Sequence, residues 1–141
     1  MSFAATTHKN KTAAAFLALL MGLIGMHRVY LRGTRDKWAL LHLASLPVSA
    51  LVLFLAPHAN AYYQLLPMIV SYLAGLLEGL VIGLMPDEKF DGRYNAGSSR
   101  QSASNWPLAI ILVVTMLVAT TMLIATISRL FDLLYTGGAY G

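Results

Sequence analysis

Glu78 stands in a run of 21 residues, 65–85, that carries no other charged side chain. A carboxylate in such a setting costs on the order of a few kcal/mol unless it is paired or protonated. His42 lies in a second apolar stretch, five residues inside the end that faces the first basic loop, and Glu78 lies seven residues from the end that faces the third loop. The two therefore fall at similar depth on one side. A pair between Glu78 and His42 or Arg28 is the structural expectation, and passage of a proton or ion past Glu78 is the alternative.

The stretch MHRVYLRG, residues 26–33, offers a second polar group at the end of an apolar run. Arg28 can bind a lipid phosphate or a partner carboxylate, and His27 can titrate near neutral pH. Their structural role is to cap a helix C-terminus, where cations meet the negative end of the dipole. Arg28, Tyr30, Arg32, Arg35 and Lys37 together form the expected interface anchor for lipid headgroups. The third polar group, DEKFDGRYN at 87–95, carries Asp87, Glu88 and Asp91 and lacks the oxygen-ligand spacing of a calcium loop. It is expected to form a juxtamembrane cap, with Phe90, Tyr94 and Asn95 beside it and the acids facing the basic first loop.

No catalytic residues, metal site or cofactor is expected: nucleophilic triads, zinc-binding pairs and phosphate-cradling glycine loops are all missing from the pattern. Cysteine is absent, which removes disulfides, thiolate sites and acyl anchors on Cys. His8 and His58 stand without a second ligand at fixed spacing, and the seven methionines are scattered among apolar positions.

The elements that must position these groups are membrane helices. With 57% hydrophobic and only 11% charged residues, the chain is too apolar for a small soluble domain. The net charge of +4 is spread in short clusters between apolar runs, unlike a nucleic-acid face. Four apolar segments follow, at 13–31, 38–56 (interrupted by His42 and a Pro47 kink), 65–85 and 107–127. Expected is an all-α integral membrane bundle of four transmembrane helices. It comprises a tail 1–12, a three-helix unit 13–95, a polar linker 96–106, a fourth helix 107–131 and a tail 132–141. The strictly apolar part of the first segment is short, 14 residues, about 21 Å as a helix against a ~30 Å hydrocarbon core. Four spans are favoured over a first segment that dips in and returns.

Loops 28–37 and 86–106 carry seven Lys and Arg residues, against three elsewhere. The positive-inside rule places these loops in the cytoplasm and, with four spans, both termini outside. Gly22 and Gly25 permit close approach or a sharp turn. Gly75, Gly79 and Gly83 recur every four residues beside Glu78, so this face should pack against another helix.

The stretch KNKTAAAFLALLMGLIGMHRVYLRG resembles the opening of the TM-two (two-transmembrane) domain family, through Lys9, Lys11, Gly22, Gly25, His27, Arg28, Tyr30 and Leu31. DEKFDGRYN resembles a second motif of its bacterial members, through Asp87, Glu88, Phe90, Tyr94 and Asn95, and Glu78 stands where the family often has an acid. Val29 replaces the usual aromatic, Arg32 precedes Gly33, and the last helix is an addition. The likeness covers roughly residues 9–95 and implies a small membrane protein without assigned catalysis, often partnered with other modules. The expected function is a non-enzymatic accessory or scaffold subunit of a bacterial inner membrane, touching lipids and other subunits or itself. A small transporter or proton-coupled channel using Glu78 with His42 is the second expectation.

Overall fold

The computed structural model describes residues 7–140, and all regular structure among them is helical. Helix α1, Lys11–Met21, starts where the Asn10 side chain accepts from the Ala13 amide, and its alanine-rich sequence favours the helix. A single 3-10 turn, Gly22–Ile24, tightens the chain, and Gly25 then adopts φ 70°, a conformation that costs glycine little. Helix α2, Met26–Arg32, leaves in the opposite direction.

The first apolar segment thus doubles back. Lys11 lies beside Met85 and Asp87, Gly22 packs on Gly75, and the Leu23 carbonyl accepts from Ser71. The chain then returns along α4. Arg28 reaches Glu78, Leu31 joins a core with Ile82, Met85 and Phe90, and the Tyr30 hydroxyl accepts from the Asn10 amide at 2.8 Å. Both ends of the hairpin therefore lie at the same end of α4. This differs from the expected first span, and the cause is local: Gly25 cuts the segment into helical lengths of about 21 and 11 Å. A Cβ at Gly25 would lie 3.0 Å from His42 Cβ and 3.1 Å from Ala39 Cα, so the turn is packed tightly on α3.

Three helices are long and apolar enough to cross a membrane: α3, Lys37–Leu55, α4, Ala61–Leu84, and α6, Trp106–Thr136. Asp36 caps α3 by accepting from the Ala39 amide. α3 continues through Pro47 and α4 through Pro67. α5, Asp87–Tyr94, follows Pro86 with acids in its first turn, where they favour the positive end of the dipole. Asn105 caps α6, which runs beyond the expected end at 131.

The glycine face of α4 is consumed inside the chain. Gly75 meets Gly22, Gly79 meets Ala18, and Gly83 meets Leu112 of α6. A Cβ placed at Gly75 would stand 2.5 Å from the Gly22 carbonyl oxygen, where backbone cannot give way. Gly75→Ala is expected to lower thermal stability in detergent by about 1–3 kcal/mol, whereas Gly92→Ala, with nothing within 4 Å of its Cβ, should be neutral or stabilising by about 0.5–1 kcal/mol. Equal melting of the two variants would refute the close backbone contact.

Candidate functional site

Helices α2, α3 and α4 converge on one carboxylate. Arg28 grips Glu78 with two prongs, Nε to Oε2 and Nη2 to Oε1, each 2.5 Å. His27 Nε2 lies 2.6 Å from Oε2 and His42 Nε2 lies 3.6 Å from the same oxygen. Behind the arginine, Asp36 accepts from Nη1 at 3.4 Å. Such a planar, bidentate pair is directional as well as strong. The sequence expectation named His42 or Arg28 as the partner, and the structure brings both to Glu78, Arg28 more closely.

The hydrogen-bond chain fixes how His42 faces Glu78. Ser71 Oγ donates to the Leu23 carbonyl at 2.7 Å, so it accepts from His42 Nδ1, 2.9 Å away. His42 Nδ1 therefore carries a proton, and Nε2, turned to the carboxylate oxygen, donates to it only when the ring is doubly protonated. His27 is fully buried, and its Nδ1 has no partner among the described residues. Ser71 does two jobs: it orients His42 and ties α4 to the hairpin turn. Tyr72 adds a second tie by donating to the Leu19 carbonyl at 2.7 Å.

His27, His42 and Glu78 offer three ligand atoms within 4.8 Å of one another, the residue types of a two-histidine, one-carboxylate centre. The guanidinium of Arg28 already spans both carboxylate oxygens, so a divalent ion there would face a fixed positive charge about 2–3 Å beyond its own ligand. The geometry suits an ion pair better than a metal. His42 and Glu78 also floor a cleft of about 370 Å³ between α3 and α4, walled by Trp38, Leu41, Val48 and Val70.

A second polar cluster joins the chain start to the third loop. Lys11, only 5% exposed, donates to the Met85 carbonyl at 2.6 Å, to Asp87 Oδ1 at 2.6 Å and to Ser104 Oγ at 2.9 Å. Two residues earlier, the Lys9 amide donates to Asn95 Oδ1 at 2.7 Å and the Asn95 amide donates to the Lys9 carbonyl at 3.0 Å. The Lys11 ammonium, helped by Ser104, holds the Asp87 carboxyl below its ordinary value. Hydrogen bonds from Asn95 and Ser102 bring Asp91 down to about 2.

These contacts correct the expectation for the juxtamembrane motif. Asp87 and Asp91 face Lys11, Ser102 and Ser104 rather than the arginines of the first loop, because the hairpin returns the chain start to this end. Phe90 is fully buried in the core instead of lying at an interface, with Tyr94 packed on it. Glu88 is exposed. The stretch after Asn95, expected as a polar linker, is tied by Ser98 to His8, by Ser102 to Asp91, and by Asn105 to Thr12.

Among the expected lipid anchors, Arg28 is spent on Glu78, Tyr30 accepts from Asn10 beneath Lys9, and Arg32, Arg35 and Lys37 are exposed. Sequence reasoning missed Lys11, Asp36 and Ser71 as site residues. Lys11 had a signal, since it belongs to the same resembled motif as His27 and Arg28; Ser71 had one too, since it stands seven residues before Glu78 and shares its helical face.

Glu78→Gln should leave Arg28 with only the longer contact to Asp36 and cost about 1–3 kcal/mol, less than a fully buried pair because the side chain is 26% exposed. Removing both charges, Arg28→Met with Glu78→Met, should restore most of that loss. Thermal unfolding followed by circular dichroism decides it, and a double variant no better than the single would show that the pair is not what holds the hairpin. No family model, curated protein or solved structure matches this chain.

Proposed function

We propose that the chain is a non-enzymatic membrane subunit of TM-two type, with three spans and a re-entrant N-terminal hairpin, acting as an accessory or scaffold protein. The observation that carries this reading is the internal use of its polar groups. Glu78 is neutralised by Arg28, Lys11 by Asp87 with the Met85 carbonyl and the Ser104 hydroxyl, and beyond Lys37 at its start the large exposed side chains of α3 are apolar, as are most of those on α6. Such a chain offers surfaces for lipids and other helices rather than a reaction centre.

The hairpin also changes the orientation argument. With the first segment returning, Lys9, Lys11, Arg28, Arg32, Arg35, Lys37, Lys89, Arg93 and Arg100 fall on one side and Arg129 on the other. The positive-inside rule makes the first side cytoplasmic, with loops 28–37 and 86–106 inside and the C-terminus outside. The N-terminus moves inside as well, opposite to the four-span expectation. Because the natural chain has no cysteine, single cysteines report cleanly. Thr7→Cys, Thr34→Cys and Ser99→Cys should be labelled from the cytoplasmic side by an impermeant maleimide, and His58→Cys from the outer side. Labelling of Thr7→Cys from outside would restore four spans.

For the accessory role, gentle-detergent purification from the native membrane should yield a stoichiometric companion protein by mass spectrometry. A lone chain would count against it. The transport reading draws on His42 Nε2, which faces Glu78 at 3.6 Å on the floor of a cleft. Proton flux into proteoliposomes above that of empty vesicles would favour transport, and background flux would leave the subunit reading standing.

A further inference from the structure

Toward the α5 end of α4 from the His42 cleft, and sharing Glu78 with it, a second cleft of about 220 Å³ opens between α2, α4 and α5. Its polar rim carries Arg28, Arg32 and Arg93 against one carboxylate, Glu78, and its wall continues along α4 as Leu77 and Val81. Those two side chains are exposed on the lateral face of a membrane-length helix. Arg28 is satisfied by Glu78 and Asp36. The other two guanidiniums are not: Arg32 has only Asp36 at 3.9 Å, and Arg93 makes no hydrogen bond or ion pair among the described residues. Both converge on the Tyr94 ring, with Cζ atoms 6.0 and 5.8 Å from its centroid. Tyr94 is itself fixed on Phe90, so the two arginines, 61 positions apart in the chain, are held around a common support.

We propose that this cleft binds the phosphate of an anionic membrane lipid, with Arg32 and Arg93 as its ligands and Leu77 and Val81 as the bed of an acyl chain. Guanidinium forks match phosphate oxygens and desolvate more readily than ammonium groups. Basic clefts between helices at the cytoplasmic boundary suit lipid headgroups. An apolar wall leading laterally out of the cleft favours a phosphate that arrives with a lipid tail over one free in water. The inference rests on the spanning reading above and is independent of any protein companion.

The test uses the full chain in phosphatidylcholine nanodiscs, titrated with phosphatidylglycerol and read by native mass spectrometry. Expected is one phosphatidylglycerol retained per chain, with affinity lowered at least tenfold in Arg32→Gln/Arg93→Gln and within twofold of wild type in Arg100→Gln, an exposed basic residue outside the cleft. Equal loss in Arg100→Gln would show general charge attraction and overturn the site. Displacement by millimolar inorganic phosphate or glycerol 3-phosphate would overturn the lipid source in favour of a soluble phosphate. Melting curves of the variants confirm folding. Alkaline carbonate extraction of native membranes separates the two levels: a chain that washes off defeats the spanning reading, whereas one that stays without retaining phosphatidylglycerol defeats the lipid site alone.

Discussion

The Arg28–Glu78 pair is the contact on which the arrangement of this chain depends. It links residues 50 apart in sequence, and without it the Glu78 carboxylate would keep only two histidines and the Arg28 guanidinium only its longer contact to Asp36. Each charge alone is a liability of several kcal/mol in such surroundings. Together they specify which face of α4 receives the hairpin and how deep the hairpin sits. His27 of α2 and His42 of α3 complete the cluster, so it sets the relative register of α2, α3 and α4 at one level.

Small residues make that register reachable. Gly22 on Gly75 and Ala18 on Gly79 bring α1 into backbone contact with α4, and at that distance dispersion acts over the whole seam. The Lys11 clamp and the Lys9–Asn95 straps then secure the other end. The hairpin is thus held at its turn by Ser71 and Gly25, at mid-height by Glu78, and at its mouth by Lys11. Few apolar side chains are fully buried in this bundle, so polar ties carry much of its specificity.

Much of this was legible in the residues. The apolar runs at 38–56, 65–85 and 107–127 correspond to α3, α4 and α6, because predominantly apolar stretches of that length have few other solutions. A lone Glu78 demanded a partner, and position along the chain narrowed it to Arg28 or His42. The glycine spacing pointed to a packing face but not to its occupant, since a period of four says nothing about which helix comes. The direction of α2 was hidden for a related reason. A glycine after an apolar run fits both a helix end that emerges into water and a turn that sends the chain back, and only the contacts of Gly25 with Ala39 and His42 separate the two. Lys9 and Lys11 counted as orientation charges, although the fold uses Lys11 as an internal cation. Charge counting treats all basic residues alike and cannot tell an exposed lysine from one with three oxygen partners.

The long sequence separation between Arg28 and Glu78 imposes an order on how the protein is made. At a synthesis rate of about 5–20 residues per second, some 3–10 s elapse between the two residues leaving the ribosome. During that interval Arg28 has Asp36 but not yet Glu78 as a counter-ion. α4 then arrives and supplies the second. The hairpin is made before the helix that receives it, and it reaches its final packing only afterwards.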